Sequence, residues 1–312
     1  MKKDNLAFIF PGQGSQKIGM LAELAGLYPV VEETFAEASN ALGYDMWDLV
    51  QNGQQEEINL TERTQPILLT ASVAVWRIWQ QRQGSMPAFM AGHSLGEWSA
   101  LVCAGSVAFA DAVKLVRLRG AFMQEAVPFG EGAMAAIIGV DDELIREICA
   151  KSAGDQVVSA VNYNSPGQVV IAGNAAAVER AIGALKDAGA KRAMPLPVSA
   201  PFHTSLMKPA ADRLAEHIHA TQFSAPQTPV VHNVHGKTEA DPEAIKKLMI
   251  EQICSPVLWV DCMQALVSRG VDVVVECGPG KVLAGLAKRI DKGFNAFTTE
   301  DCGSLDKALD EA

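Results

Sequence analysis

No apolar run in the sequence approaches the ~20 residues that a membrane-spanning helix needs. Lys2 and Lys3 precede an apolar stretch over residues 6–10, which is too short for the core of a secretory leader. The six cysteines, at 103, 149, 254, 262, 277 and 302, include no C-x-x-C pair. That removes zinc-ribbon and thiol-redox readings, and without an export signal the free thiols fit a reducing cytoplasm. Basic residues are the minority: 26 Lys and Arg stand against 36 Asp and Glu, a net charge of −10. A general nucleic-acid binder needs a basic footprint and is excluded, although a local basic patch is compatible with this balance. No internal repeat or low-complexity segment is visible.

What is present is an ordinary globular balance. Hydrophobic residues at 49% and charged residues at 20% exclude a disordered chain. At ~150 residues per domain, 312 residues suggest two folding units with ample core. The pattern predicts strands at 133–140, 157–161, 168–172 and 192–197 and helices at 141–150 and 175–188, with Asp141 as a helix N-cap. That order is β-α-β-β-α-β, the split βαβ or ferredoxin-like motif. Elsewhere strands (6–10, 88–91, 271–276) alternate with helices, among them one opening at Pro66 and running to residue 81. The expectation is an α/β domain with a largely parallel sheet, made of residues 1–127 and 200–312, with a small unit at 128–199 inserted into it. The cleft between the two is the default site.

Gly92-His93-Ser94-Leu95-Gly96 is a G-x-S-x-G segment between a strand-like and a helix-like stretch, the context of a nucleophile elbow. It presents the serine at a helix N-terminus, where backbone N–H groups favour an anion; the Leu95 N–H is then one oxyanion donor. Pro11-Gly12-Gln13-Gly14-Ser15-Gln16 follows the first strand. Strand ends of a parallel sheet share one edge, so the Gln13 N–H is a candidate second donor. With no Gly-Lys-Ser/Thr following, a phosphate loop is disfavoured. Either loop could also be a plain glycine turn.

Among six histidines, His203 ranks first as a base, because it sits in a Pro-containing loop (residues 199–203) returning from the small unit to the cleft. His93 adjoins the serine and reads as structural. His217 and His219 lie on a polar helix face. His232 and His235 could be metal ligands but lack an evident third. No acidic partner for His203 is identifiable, and a backbone carbonyl could fix its tautomer instead.

Two polar residues fall on apolar helix faces. At about 100° per residue with Ala112 at 0°, Leu115, Val116, Phe122 and Met123 form a stripe centred on Arg119 at about 340°. An inward guanidinium needs a partner, either a buried Asp or Glu or a substrate carboxylate. In the helix from Pro242, Gln252 stands in the stripe of Ile245, Leu248 and Met249. It either satisfies backbone groups or orients Arg119.

Together these segments, with Val161 to Gly173, Pro201-Phe202-His203, Ser255-Pro256-Val257 and Gly278-Pro279-Gly280, resemble the malonyl-CoA:acyl carrier protein transacylases of type II fatty acid synthesis. The matches run in family order along nearly the whole chain. The resemblance implies an α/β-hydrolase-like core with an inserted ferredoxin-like subdomain. It also implies ping-pong transfer of malonyl from coenzyme A, through a Ser94 ester, to the phosphopantetheine thiol of acyl carrier protein in the cytoplasm. It implies no cofactor, nucleic acid or membrane, and a monomer. His203 looks like the base, Gln13 and Leu95 the oxyanion hole, Arg119 the malonate clamp and Gln252 its support. Phe202 resembles malonyl-selective members, where bulk disfavours an α-methyl group. Trp98 departs from the family, which has tyrosine there. Lys191, Arg192, Lys281, Lys288 and Arg289 are candidates for docking the acidic carrier protein. The rival readings are a serine esterase or thioesterase, a transferase for another extender acid such as methylmalonyl, and a non-catalytic carrier-protein-binding module.

Overall fold

The computed structural model of the chain describes residues 2–198 and 200–312. Ser199, which the sequence reading placed in the His203 loop, lies outside the described residues, as does Met1. The described strands are β1 (Lys2–Phe10), β2 (Met86–Gly92), β3 (Gly132–Ile138), β4 (Val158–Ser165), β5 (Gln168–Asn174), β6 (Arg192–Pro195), β7 (Val230–Val231), β8 (Val273–Glu276) and β9 (Asn295–Thr298). They form two sheets, one in the order β7-β2-β1-β8-β9 and one in the order β4-β5-β3-β6.

Every pairing of the larger sheet is parallel. Its central strand shows why the sequence carries an unbroken apolar run at residues 6–10. Leu6, Phe8 and Phe10 enter one apolar cluster while Ala7 and Ile9 enter another on the opposite face. A strand covered by helices on both sides has no solvent face to make polar. The helices Thr61–Gln81, Phe109–Glu125 and Lys208–Ala220 contribute to the first cluster, and Trp259–Val267 and Val282–Ile290 to the second. None of the described helices is long and apolar enough to cross a membrane.

The smaller sheet is antiparallel throughout. Residues alternate between its faces with period two. Ala135, Ile137, Val169 and Ile171 pack under the helices Asp142–Ala153 and Ala175–Asp187, whereas Met134, Val170 and Ala172 turn to the large cluster. The β-α-β-β-α-β order thus makes a ferredoxin-like layer laid on the parallel-sheet unit. β4 of the small sheet is stitched to the loop ahead of the helix Trp259–Val267, where Val257 donates to the Val161 carbonyl (2.8 Å) and Tyr163 to the Val257 carbonyl (3.0 Å). That seam lies five residues beyond Gln252.

Two local expectations differ. The long helix begins at Thr61, not at Pro66. The Leu60 carbonyl accepts from Arg63 and Thr64, so the first turn closes ahead of the proline, which removes one bond from the helix instead of opening it. Asp141 holds the N-cap position, but its side chain makes no cap hydrogen bond.

Candidate active site

Ser94 stands between β2 and the helix Leu95–Cys103 with φ 50° and ψ −105°, a backbone that non-glycine residues rarely adopt. The flanking glycines permit the turn. A Cβ on Gly92 would lie 1.9 Å from the Gly96 carbonyl carbon, and one on Gly96 would lie 2.0 Å from the Phe10 oxygen. Such strain costs about 1–3 kcal/mol and persists only where neighbours enforce it. Asn233, two residues beyond β7, does so: its Oδ1 accepts from the Ser94 N–H (2.8 Å) and its Nδ2 donates to the Gly92 carbonyl (2.8 Å).

Ser94 Oγ lies 2.8 Å from His203 Nε2, although 109 residues separate them. His203 is buried and also has positive φ (63°). Its Nδ1 lies 3.0 Å from the Gln252 carbonyl. A carbonyl can only accept, so the ring proton sits on Nδ1 and Nε2 is left to accept from the serine hydroxyl. Burial first, then the nearby Arg119 charge, push the His203 pKa down to about 3, so the ring is neutral at physiological pH. The sequence reading found no acid for this histidine, and here the partner is a carbonyl.

Arg119 is 1% exposed. Its Nη1 donates to Gln65 Oε1 (2.8 Å), and its Nη2 to Gln252 Oε1 (2.9 Å) and to Ser94 Oγ (3.2 Å). Nε has no partner, and among the described residues no carboxylate forms an ion pair with the guanidinium. Burial lowers its pKa to about 10, which leaves it a cation at neutral pH. Of the two partners left open by the sequence, a buried Asp or Glu in contact is therefore not the one found. Gln252, at the C-cap of the helix Pro242–Glu251, donates from Nε2 to the Ser94 carbonyl (3.0 Å) and to Glu97 Oε2 (2.8 Å).

A cleft of about 140 Å³ opens beside the serine, lined by residues that include Gln13, His93, Met134, Phe202 and His203. Gln13 arrives there because β1 and β2 are paired neighbours with Phe10 opposite Gly92, and the Phe10 carbonyl accepts from the His93 N–H. Leu95 is the first residue of its helix, so its N–H is one of the donors without an intrahelical acceptor. His93 turns aside, with Nε2 2.8 Å from Asn164 Oδ1. His217 and His219 are exposed. The ring of His232 is buried with Nδ1 2.6 Å from Glu97 Oε1, and among the described residues no group of metal-ligating side chains is assembled. Trp98 is fully buried and meets Phe223 edge-on.

Sequence reasoning missed Gln65, Glu97 and Asn233. A signal existed for Glu97: it is the single charged residue of the largely apolar helix LGEWSALVC, which implies a buried and partnered carboxylate. Asn233 had none, because its partners are about 140 positions away in the chain and meet it only through β7–β2 pairing. The basic candidates Lys191, Arg192, Lys281, Lys288 and Arg289 are all exposed. Ile138 pairs with both Gln168 and Arg192, and Arg289 Nη1 donates to Gln168 Oε1 (2.8 Å), so Arg192 and Arg289 reach the same end of the small sheet.

Comparison with known proteins follows the same lines. The acyl transferase domain family matches residues 7–303. The chain is 60% identical over 303 residues to the malonyl CoA-acyl carrier protein transacylase of Salmonella typhimurium, covering 97% of this chain and 98% of the relative. The crystal structure of an acyl carrier protein S-malonyltransferase from Vibrio cholerae superposes with a TM-score of 0.96 at 58% identity, covering 97% and 99%. A malonyl-transacylase solved in complex with its type II PKS acyl-carrier protein superposes with a TM-score of 0.98 at 56% identity, covering 99% and 100%.

Proposed function

This chain belongs to the acyl transferase domain family, and on that premise we propose that it moves malonyl from coenzyme A to the phosphopantetheine thiol of acyl carrier protein through a malonyl ester of Ser94. The observation that carries the reading is a buried arginine, bonded among the described residues to neutral acceptors alone, 3.2 Å from a serine that is itself 2.8 Å from a neutral histidine. A nucleophile–base pair alone fits any acyl transfer or hydrolysis. The adjoining guanidinium selects an acyl group that ends in a carboxylate.

In this mechanism His203 Nε2 takes the Ser94 proton as Oγ attacks the thioester carbonyl. The Gln13 and Leu95 N–H groups stabilise the oxyanion, and the coenzyme A thiol leaves with the proton. Arg119 holds the malonyl carboxylate throughout. The pantetheine thiol then gives its proton to His203, attacks the ester carbonyl and releases Ser94. The reaction as proposed runs on side chains and backbone donors, with malonyl-CoA and holo-acyl carrier protein, its phosphopantetheine thiol free, as the two substrates. Phe202, at the cleft wall beside His203, crowds an α-methyl group, a discrimination worth ~1–3 kcal/mol, so methylmalonyl is disfavoured and not excluded.

Malonyl-CoA incubated with and without holo-acyl carrier protein tests this reading against a thioesterase. The expected result is fast appearance of malonyl carrier protein and slow hydrolysis without it. Hydrolysis at the same rate in both arms would overturn it.

A further inference from the structure

Glu97 is fully buried, and three groups converge on its carboxylate. Oε1 meets His232 Nδ1 at 2.6 Å, and Oε2 accepts from Gln252 Nε2 at 2.8 Å and from the Asn233 backbone N–H at 3.1 Å. Two of the three, Gln252 and Asn233, lead on to the serine. Gln252 bonds both Arg119 and the Ser94 carbonyl, and Asn233 bonds the peptide groups on either side of His93, which lead into Ser94.

We propose that Glu97 is a positioning residue that acts as the remote counterion of Arg119, one amide away, and thereby sets the preference for a carboxylated acyl group. The proposal rests on the malonyl-transfer reading above. A carboxylate in direct contact would occupy the N–H groups that a malonyl carboxylate needs. Gln252 stands between the two charges, and its polarity is fixed by them. Its oxygen must face the guanidinium and its NH2 group the carboxylate, because the reversed amide would set donor against donor and acceptor against acceptor. Glu97 thus steadies the cation through a dipole while Nε of Arg119 stays unpartnered.

His232 meets the other carboxylate oxygen: a single ring proton on Nδ1 satisfies the 2.6 Å contact, and Nε2 has no partner among the described residues.

The test compares charge at constant shape. Glu97→Gln is set against the parent enzyme, and Glu97→Asn against Glu97→Asp, with folding checked by thermal melts. The readout is the ratio of kcat/KM for malonyl-CoA to that for acetyl-CoA. In each pair that folds, the neutral member is expected to lose at least tenfold in this ratio, chiefly through KM for malonyl-CoA. Equal loss for both substrates, or an unchanged ratio, would reduce Glu97 to a structural role and overturn the proposal. If the parent itself transfers no malonyl, the functional reading fails instead, and the variants are not needed to see it.

Discussion

A buried guanidinium without a contacting carboxylate is the most informative residue in the molecule. Gln65 and Gln252 satisfy its geometry and leave its charge uncancelled. Removing one member of a buried charge-assisted pair costs about 2–5 kcal/mol, so Arg119→Ala is expected to lower kcat/KM for malonyl-CoA by on the order of a hundredfold or more. Acetyl-CoA has no carboxylate and should be spared, so the malonyl-to-acetyl ratio should collapse; a preserved ratio would remove Arg119 from substrate recognition. The neighbouring His203 makes a second residue-scale prediction. Its pKa lies near 3 and not 6.5, because burial and Arg119 both disfavour the imidazolium. The neutral base persists as pH falls until pH approaches that lower value. The single-turnover acylation rate should therefore stay flat from about pH 8 to about pH 5, where an ordinary histidine would lose activity below its pKa. A fall with an apparent pKa near 6.5 would contradict the environment described for this ring.

At the scale of elements, the turn from β2 into the helix Leu95–Cys103 is held by close approach of backbones. A Cβ on Gly96 would lie 2.0 Å from the Phe10 oxygen, and backbone cannot move aside as a flexible side chain can. Gly96→Ala is expected to destabilise the fold by at least the ~1–3 kcal/mol of ordinary overpacking, read as a lower Tm, with loss of acylation. A variant with parental Tm and rate would show that the elbow tolerates the extra atom. Such local requirements are legible in a sequence: G-x-S-x-G between a strand and a helix, the period-3.6 stripe around Arg119, and the apolar run at residues 6–10 all carry their structural meaning within a few residues. The Asn233 brace and the Gln65 acceptor are of another kind. Each depends on contacts across dozens to more than a hundred positions, which no local period encodes. Pro66 shows a different, local limit. Its helix starts earlier because the Leu60 carbonyl accepts from Arg63 and Thr64, a closure that local propensity, which reads proline as a first-turn residue, does not anticipate.

At the scale of the whole molecule, the proposed function asks a chain of net charge −10 to receive a carrier protein that the family resemblance implies is acidic. Long-range repulsion then makes local basic groups decisive for encounter. Arg289, tied to Gln168, and the exposed Lys288 beside it lie at the end of the small sheet that also carries Arg192. Charge reversal at Lys288 and Arg289 is expected to raise the KM for acyl carrier protein with a marked dependence on salt, while KM for malonyl-CoA changes little. An unchanged carrier-protein KM would place docking elsewhere.

The account turns on a covalent malonyl-serine, and intact-protein mass spectrometry after brief exposure to malonyl-CoA tests it most directly. It predicts a malonyl adduct on the parent protein, none on a folded Ser94→Ala variant, and loss of the adduct when holo-acyl carrier protein is added. An adduct that survives Ser94→Ala, or none on the folded parent, would contradict it.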